Sequence, residues 1–417
     1  MKTKIIGFCI ILLWIFSGAV KSYSAEAAYV QELSTNTETD IVYDAESWYS
    51  NGEVKFAINI FDEEWRELNS KEEMLAACQI PVSLLNKLST YELLKLSEEY
   101  PMLGDIYTGN TMEEGFQYVV NSFNGLRALL EREDCLKVVC EEYKNLLIPK
   151  EKMITYKECN TEEEKVEYFN EILQNDDLLR KALDDSKASI RCDLLEMIML
   201  DKTTVDNVEL LLETITDKAD EKENAECFEF TNKSVYLSEM KESMLSKASA
   251  YYALETNNNT TTKTLYWRGV AINVIVDDNP SYNTYDEALR AIAYWKNDGV
   301  TLVSVGCRES NCHSYAWLTR IFPSSSHKYL LNSVPDGLMK ECVKYYKPIK
   351  NSIAYKVQHS AVVVDETNMR YENGKYVYDP IVIAKWAGGP VVKGPMSVGN
   401  YAMSHDEIYG YYVYNDL

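Results

Sequence analysis

The hydrophobic period changes once along this 417-residue chain, and that change bounds what it can fold into. From residue 46 to about 252, apolar side chains recur at three- and four-residue spacing, the period of amphipathic helices. Residues 70–78, 84–96, 112–132 and 162–183 carry the pattern most clearly. Ser70 stands three residues before Glu73, and Thr161 three before Glu164, which is the layout of a capping box. Pro81 and Pro101 fall between helices, where a ring that blocks helical hydrogen bonding belongs. No repeat period emerges. The region reads as all-α, either a bundle or an irregular solenoid.

A polar, low-complexity tract at residues 256–263 follows and reads as a linker. Beyond it, residues 264–276 are rich in β-branched and aromatic side chains and predict a strand. Residues 285–296 predict a helix and 301–305 a strand. A loop at 306–311 then leads into a helix at 312–322. Further strands are predicted at 354–365 and 375–383, with Asn373-Gly374 between them as a hairpin turn. The fold class is therefore α+β. An all-α region (26–255) precedes an α+β domain (264–417) with an antiparallel sheet and a helix that begins at a cysteine.

The first 25 residues stand apart. Lys2 and Lys4 precede an apolar run over residues 5–20, and small residues follow at Ser22, Ser24, Ala25 and Ala27. This is the pattern of a secretory signal peptide. The run is short for a membrane span, which needs roughly 20 apolar residues; an uncleaved anchor is the alternative. No later stretch is apolar enough to span, so an extracellular, soluble mature protein is expected. Removal of Lys2, Lys4 and Lys21 makes it more negative than the formal −23 of the whole chain. So acidic a surface disfavours nucleic acid and anionic membranes as partners. Of ten cysteines, Cys9 leaves with the signal, and the odd remainder leaves at least one thiol unpaired within a monomer. Their irregular spacing is not that of a disulfide-stapled miniprotein. Several lie in apolar helical stretches, where a buried thiol behaves as a small hydrophobe.

The chemistry concentrates near Cys312. Either Ser310 or Asn311 can cap the helix that follows. That puts Cys312 in the first turn, on one face with Tyr315, Ala316 and Thr319. Unsatisfied amides and the positive end of the helix dipole favour a thiolate there. With a cationic imidazole nearby, such sites lower a thiol pKa from about 8.5 to roughly 3.5–7.5. The same amides can bind an oxyanion. A buried structural cysteine is the competing reading. Of the four histidines, His313 is adjacent on the helix and points to another face, and His327 and His405 lie elsewhere. His359 sits on a predicted strand, sharing a face with Ala361 and Val363. Asp379 ends the next strand, sharing a face with Val377, and an inward carboxylate needs a partner. An imidazole on the paired strand would provide one. The order Cys312, His359, Asp379 is that of an activated nucleophile. A zinc site from Cys307, Cys312, His313 and Cys342 fits no common spacing. Cys307 is either half of a redox latch with Cys312 or an unrelated loop thiol.

Cys312 with Ala316 and Arg320, then His359 in an apolar strand, then Asp379-Pro380 twenty residues later, resembles the bacterial protein-glutaminases. The resemblance covers residues 299–383. Departures from that family are Gln358 and Ser360 beside His359, an aromatic context met only at Tyr355, and Cys307 upstream. The resemblance implies a secreted protein-glutamine deamidase with a transglutaminase- or papain-like core. It assigns Cys312 as nucleophile, His359 as base and acid, and Asp379 as the orienter of the imidazole. It requires no cofactor or metal, and its partners would be proteins or peptides bearing glutamine. It also implies that the helical region is a propeptide that blocks the site; a helical module that recruits a partner is the alternative. Cross-linking by lysine attack, proteolysis by main-chain attack, and a non-catalytic surface-binding protein on a hydrolase fold remain open.

Overall fold

The computed structural model describes residues 43–50, 52–68, 70–146, 159–204, 206–208, 210–211, 214, 244, 260–277, 284–306, 311–322, 329–331, 333–356, 359–372, 374–386, 389–398 and 410–415. The expected signal peptide, Ser310, Cys307, His327, His405, Gln358, Asn373 and residues 256–259 lie outside them.

The helical region forms as the pattern predicts, but in shorter pieces. The helix expected over 162–183 is two, Glu162–Gln174 and Asp176–Asp185. Asn175 divides them: its backbone is extended, and its side chain accepts from the Asp177 and Leu178 amides to start the second. Thr161 and Glu164 close the expected capping box on the first. Ser70 likewise accepts from the Glu73 amide. The 112–132 stretch breaks at an extended Phe123 into Met112–Ser122 and Asn124–Leu130. The 84–96 stretch breaks where Ser89 and Glu92 form a capping box, giving Val82–Leu85 and Thr90–Glu98. Cys78, Cys135 and Cys192 are buried in the core, as small hydrophobes. Among the described residues, no helix is long and apolar enough to cross a membrane.

A small hairpin, β1 (Tyr49–Ser50) and β2 (Glu53–Val54), precedes the helices. After them come β3 (Thr260–Trp267) and β4 (Val270–Asp277). The single strand expected at 264–276 is this hairpin. Arg268 and Gly269 both take positive φ at its turn, the combination a two-residue hairpin loop needs. Strand β3 also takes in residues 260–263, the end of the expected linker.

The remaining strands are β5 (Thr301–Ser304), β6 (Cys342–Tyr345), β7 (Ile353–Lys356), β8 (His359–Asp365), β9 (Met369–Glu372), β10 (Lys375–Tyr378), β11 (Ile381–Lys385), β12 (Val391–Pro395) and β13 (Gly410–Tyr414). Seven of them form one sheet in the order β5-β12-β11-β8-β7-β13-β6, antiparallel throughout. Strands β9 and β10 form the tip of the hairpin that β8 and β11 continue, turning at Gly374 with φ +80°. The molecule is thus mixed helix and antiparallel sheet.

Alternation along the strands divides the sheet into two buried faces. Ala354, Ala361, Val363, Val382, Ala384 and Tyr411 join the core of the helical region. Ile353, Tyr355, Tyr412 and Tyr414 face a second cluster built from the β3–β4 hairpin and the helix after Cys312.

The expected boundary at 256–263 therefore does not separate two cores. The Tyr285–Ile292 helix and the turn after it pack into the N-terminal helices. Trp65 donates to the Tyr294 carbonyl (3.0 Å), and the Tyr294 hydroxyl donates to Asp105 (2.6 Å). Asp105 also holds Lys71 at 3.2 Å, both fully buried. At the sheet edge, the Asn170 amide donates to the Leu302 carbonyl (3.1 Å) and accepts from the Leu302 N–H (2.8 Å). A side chain from the helical region thereby caps β5 as a neighbouring strand would, which protects an edge from pairing with other chains.

Candidate active site

Cys312 opens a helix, as expected, and Asn311 is its cap. Asn311 Oδ1 accepts from the Ser314 amide (3.0 Å), and Ser314 Oγ accepts from the Asn311 amide (2.8 Å), so each satisfies the other's orphan N–H. The Asn311 side chain also donates to the Leu331 carbonyl (3.1 Å), which pins the helix start. The helix departs from the expected α geometry. Ser314–Leu318 forms a π turn before Thr319–Ile321 resumes. The wider turn changes which side chains lie below Cys312. Ala316, Trp317 and Leu318 are buried, while Tyr315 and Thr319 are half-buried. Single π turns recur at functional sites.

Strand β8 presents Ser360 to this helix. Trp317 Nε1 donates to Ser360 Oγ (3.0 Å), and His313 Nδ1 lies 2.8 Å from the same oxygen. His313, read from the sequence as facing elsewhere, is buried here, with its ring 6.0 Å from that of Tyr355. The Cys312 sulfur receives backbone hydrogen bonds from Ser360, from His313 and from its own residue. Lys385 of β11 adds a positive charge that acts on the same sulfur.

The electrostatics differ from the preformed thiolate that a helix start suggests. Burial pushes the Cys312 thiol up to about 11, against the pull of those N–H groups and Lys385. Desolvation wins because only 5% of the residue is exposed. The resting sulfur is thus protonated at neutral pH. His359, the expected base, follows Lys356 across the β7–β8 turn and pairs with it. Burial drives its imidazole well below the ordinary range, and the charges of His313 and Lys356 push the same way. The imidazole is therefore neutral, the protonation state a general base needs. His359 adjoins Ser360 along β8 and feels the charge of His313, but alternation turns its ring toward the face of Ala361 and Val363, the far side of the strand from Cys312.

Asp379 does not belong to that neighbourhood, which corrects the expected triad. Its carboxylate accepts from the Ser397 N–H (2.9 Å) and hydroxyl (2.7 Å). Strand register explains the distance. Ile381, two residues on, pairs with Asp365, at the opposite end of β8 from His359. Six residues at roughly 3.3 Å each put about 20 Å of strand between the two ends. The turn at Gly374, with Lys375 paired to Glu372, fixes that register. An acid directly across from the base would need a turn several residues earlier. Continuing the Ile383–Val362 pair along the strands brings Lys385 and Trp386 level with Ser360 and His359.

Reading the sequence missed Ser360, His313 and Lys385. The signal for Lys385 lay in Ile381-Val-Ile-Ala-Lys385, where a lysine shares the face of an apolar, buried strand. Cys342 stands apart, its thiol directed at the Leu338 carbonyl at 3.4 Å. No protein-family model, curated protein or solved structure matches this chain.

Proposed function

We propose that the chain is a secreted cysteine hydrolase of amide bonds with a transglutaminase-like core, acting on glutamine side chains of proteins. The observation that carries this reading is the placement of Cys312. Its sulfur lies at a capped helix start and takes backbone N–H bonds from two elements, with a neutral, buried imidazole on the residue that adjoins Ser360 along β8. The glutamine substrate comes from the resemblance of residues 299–383 to the protein-glutaminases.

In this reading the thiol gives its proton to His359 as the sulfur attacks the side-chain carbonyl carbon. The backbone amides around the sulfur hold the resulting oxyanion. The carbon–nitrogen bond then breaks, and the nitrogen leaves as ammonia with the proton from His359. Water, deprotonated by the same imidazole, attacks the thioester and releases glutamate and the thiol. Asp379 takes no part. Its role in orienting the imidazole passes to the packing around β8.

Ammonia release from a denatured glutamine-rich protein tests the reading. The wild type releases ammonia, and Cys312→Ala falls to background. If neither releases ammonia while peptide bonds are cut or lysines cross-linked, the nucleophile stands and the acyl acceptor changes. The burial of Cys312 and the engagement of Asp379 with Ser397 favour one rival, a non-catalytic binding protein on the same fold. Absence of all three activities, with Cys312 unreactive toward iodoacetamide in the folded protein, decides for it.

A further inference from the structure

The seven-stranded sheet ends differently on its two sides. Asn170 caps β5. Strand β6 stands last on the other side, and among the described residues no strand pairs with its outer edge. The Glu341 carbonyl accepts from the Asn415 N–H (3.2 Å). Alternate residues of an antiparallel ladder turn to the partner, so Val343 and Tyr345 also bond toward β13. The backbone N–H and C=O groups of Cys342 and Lys344 therefore point outward. Paired residues share a face, so Val343 and Tyr345 extend the face of Val413 and Tyr411, and Lys344 lies on that of Tyr412. Every residue from Val343 to Lys347 is exposed.

This edge is basic in an acidic chain. Residues 340–347 hold three lysines and one acid, where the whole chain carries 42 basic and 65 acidic residues. Lys340, Lys344 and Lys347 are exposed, and Glu341 has Arg268 at 3.9 Å. A lysine on an edge strand ordinarily keeps sheets from pairing. Its effect depends on the sign of what approaches. Two β6 strands side by side would bring like charges together, which destabilises the pair, whereas an acidic strand meets the opposite sign. Lys344 is also held in place rather than loose in water. Its Nζ lies 5.3 Å from the Tyr346 ring centre and 5.9 Å from that of Tyr412. Gly410 makes room for its stem, since a Cβ there would lie 2.5 Å from Lys344 Cε.

We propose that the outer edge of β6 takes an extended acidic segment of another protein as an added strand of the sheet. Main-chain bonds to Cys342 and Lys344 attach it. Selectivity comes from alternate side chains, apolar ones against Val343 and Tyr345 and acidic ones toward Lys344, with Lys340 and Lys347 at the ends of the strand. The proposal does not depend on the reading of Cys312 as a nucleophile.

The probe is a short fluorescent peptide of alternating valine and glutamate, titrated against the full-length protein by fluorescence anisotropy. It should bind saturably, and more weakly as salt is raised. The same peptide with lysine in place of glutamate should not bind. Reversing two charges of the edge, Lys344→Glu with Lys347→Glu, should weaken binding about tenfold or more. N-methylation separates strand addition from mere charge attraction. In an added strand only every second N–H faces β6, so methylating one alternate set should weaken binding as much, and methylating the other should leave it unchanged. A further measurement on the wild type needs no substitution. Hydrogen exchange followed by mass spectrometry should slow in the fragment spanning residues 342–345 when the valine–glutamate peptide is bound. Absence of saturable binding to the wild type overturns the proposal. So does equal binding by the two N-methylated peptides, or an unchanged exchange rate in that fragment. Equal protection by heparin also overturns it, because the edge would then be a general patch for anions.

Discussion

The two faces of the seven-stranded sheet bury polar groups by opposite rules. On the helical side, buried charges come in complementary sets. Lys71 meets Asp105, and Arg191 meets Glu98 and Glu142, with Lys95 joining the same acids. Tyr107 and Tyr143 donate to Asp193 and Glu196 at 2.7 Å each. On the Cys312 side the buried ionisable groups of the helix, β8 and β11 are the Cys312 thiol, the His313 imidazole and the Lys385 ammonium. A complementary set is finished when the chain folds. A thiol beside an imidazole and an ammonium gives the other face a different chemical character. The first composition suits a scaffold, and the second is the one the proposed reaction would use.

The largest test of this contrast removes one face altogether. A chain beginning at Thr260 leaves Ala354, Ala361, Val363 and Tyr411 without the helices that cover them. It also strips the Asn170 cap from β5. Such a chain should aggregate or lack a cooperative unfolding transition, measured by gel filtration and urea denaturation. A soluble, cooperative fragment would show that the faces are independent, and would restore the idea of a removable inhibitory segment.

Single buried charges separate the faces next. Lys71→Met strands the Asp105 carboxylate in the core, and breaking a buried pair on one side costs about 3–5 kcal/mol. Lys385→Met loses the bond to the Gly389 carbonyl, a cost of about 1–3 kcal/mol. Urea midpoints for the two variants should fall in that order. The reverse order would mean that Lys385 belongs to the scaffold.

Asp379→Asn sharpens the same boundary from within the sheet. It weakens two hydrogen bonds to Ser397, one from a backbone N–H, and should cost about 1–3 kcal/mol. The alkylation profile of Cys312 should not move. A displaced profile would return Asp379 to the nucleophile's circle.

What the sequence made legible follows from this division. Helix and strand periods are local, so the α and α+β regions, the capped start at Cys312 and the hairpin at Gly374 could all be read from neighbouring residues. The breaks at Phe123 and Asn175 could not, because the apolar spacing runs straight through them. Register is not local either. The twenty residues from His359 to Asp379 suit a short hairpin with the two side chains opposed, and only the pairing of Ile381 with Asp365 shows a longer one. Which layer covers a face is less local still. Ala361 and Val363 announce a buried face, but not that helices from residues 46–252 bury it. Lys385 was missed for a related reason: a lysine closing an apolar strand reads as an exposed strand end unless the strand's burial is weighed with it.

The smallest effect is the pH dependence that His359 confers on stability. Its imidazole is held well below the ordinary range in the folded protein, chiefly by burial. In the unfolded chain it titrates near pH 6.5. Below that pH the unfolded chain binds a proton that the native state refuses. Stability is therefore fully present above about pH 6.5 and declines as pH falls, by up to about 1.4 kcal/mol per unit from this group. The decline continues until pH reaches the depressed folded value, where the native state takes up the proton too. Carboxylates that titrate lower, such as Asp365 with its bonds from Thr367, add their losses only in more acidic solution. Urea midpoints between pH 7 and 5 should thus fall in the wild type and flatten in His359→Gln. Equal slopes in the two proteins would mean that the imidazole is reached by water in solution, and that the face β8 turns toward the helices is open at its His359 end.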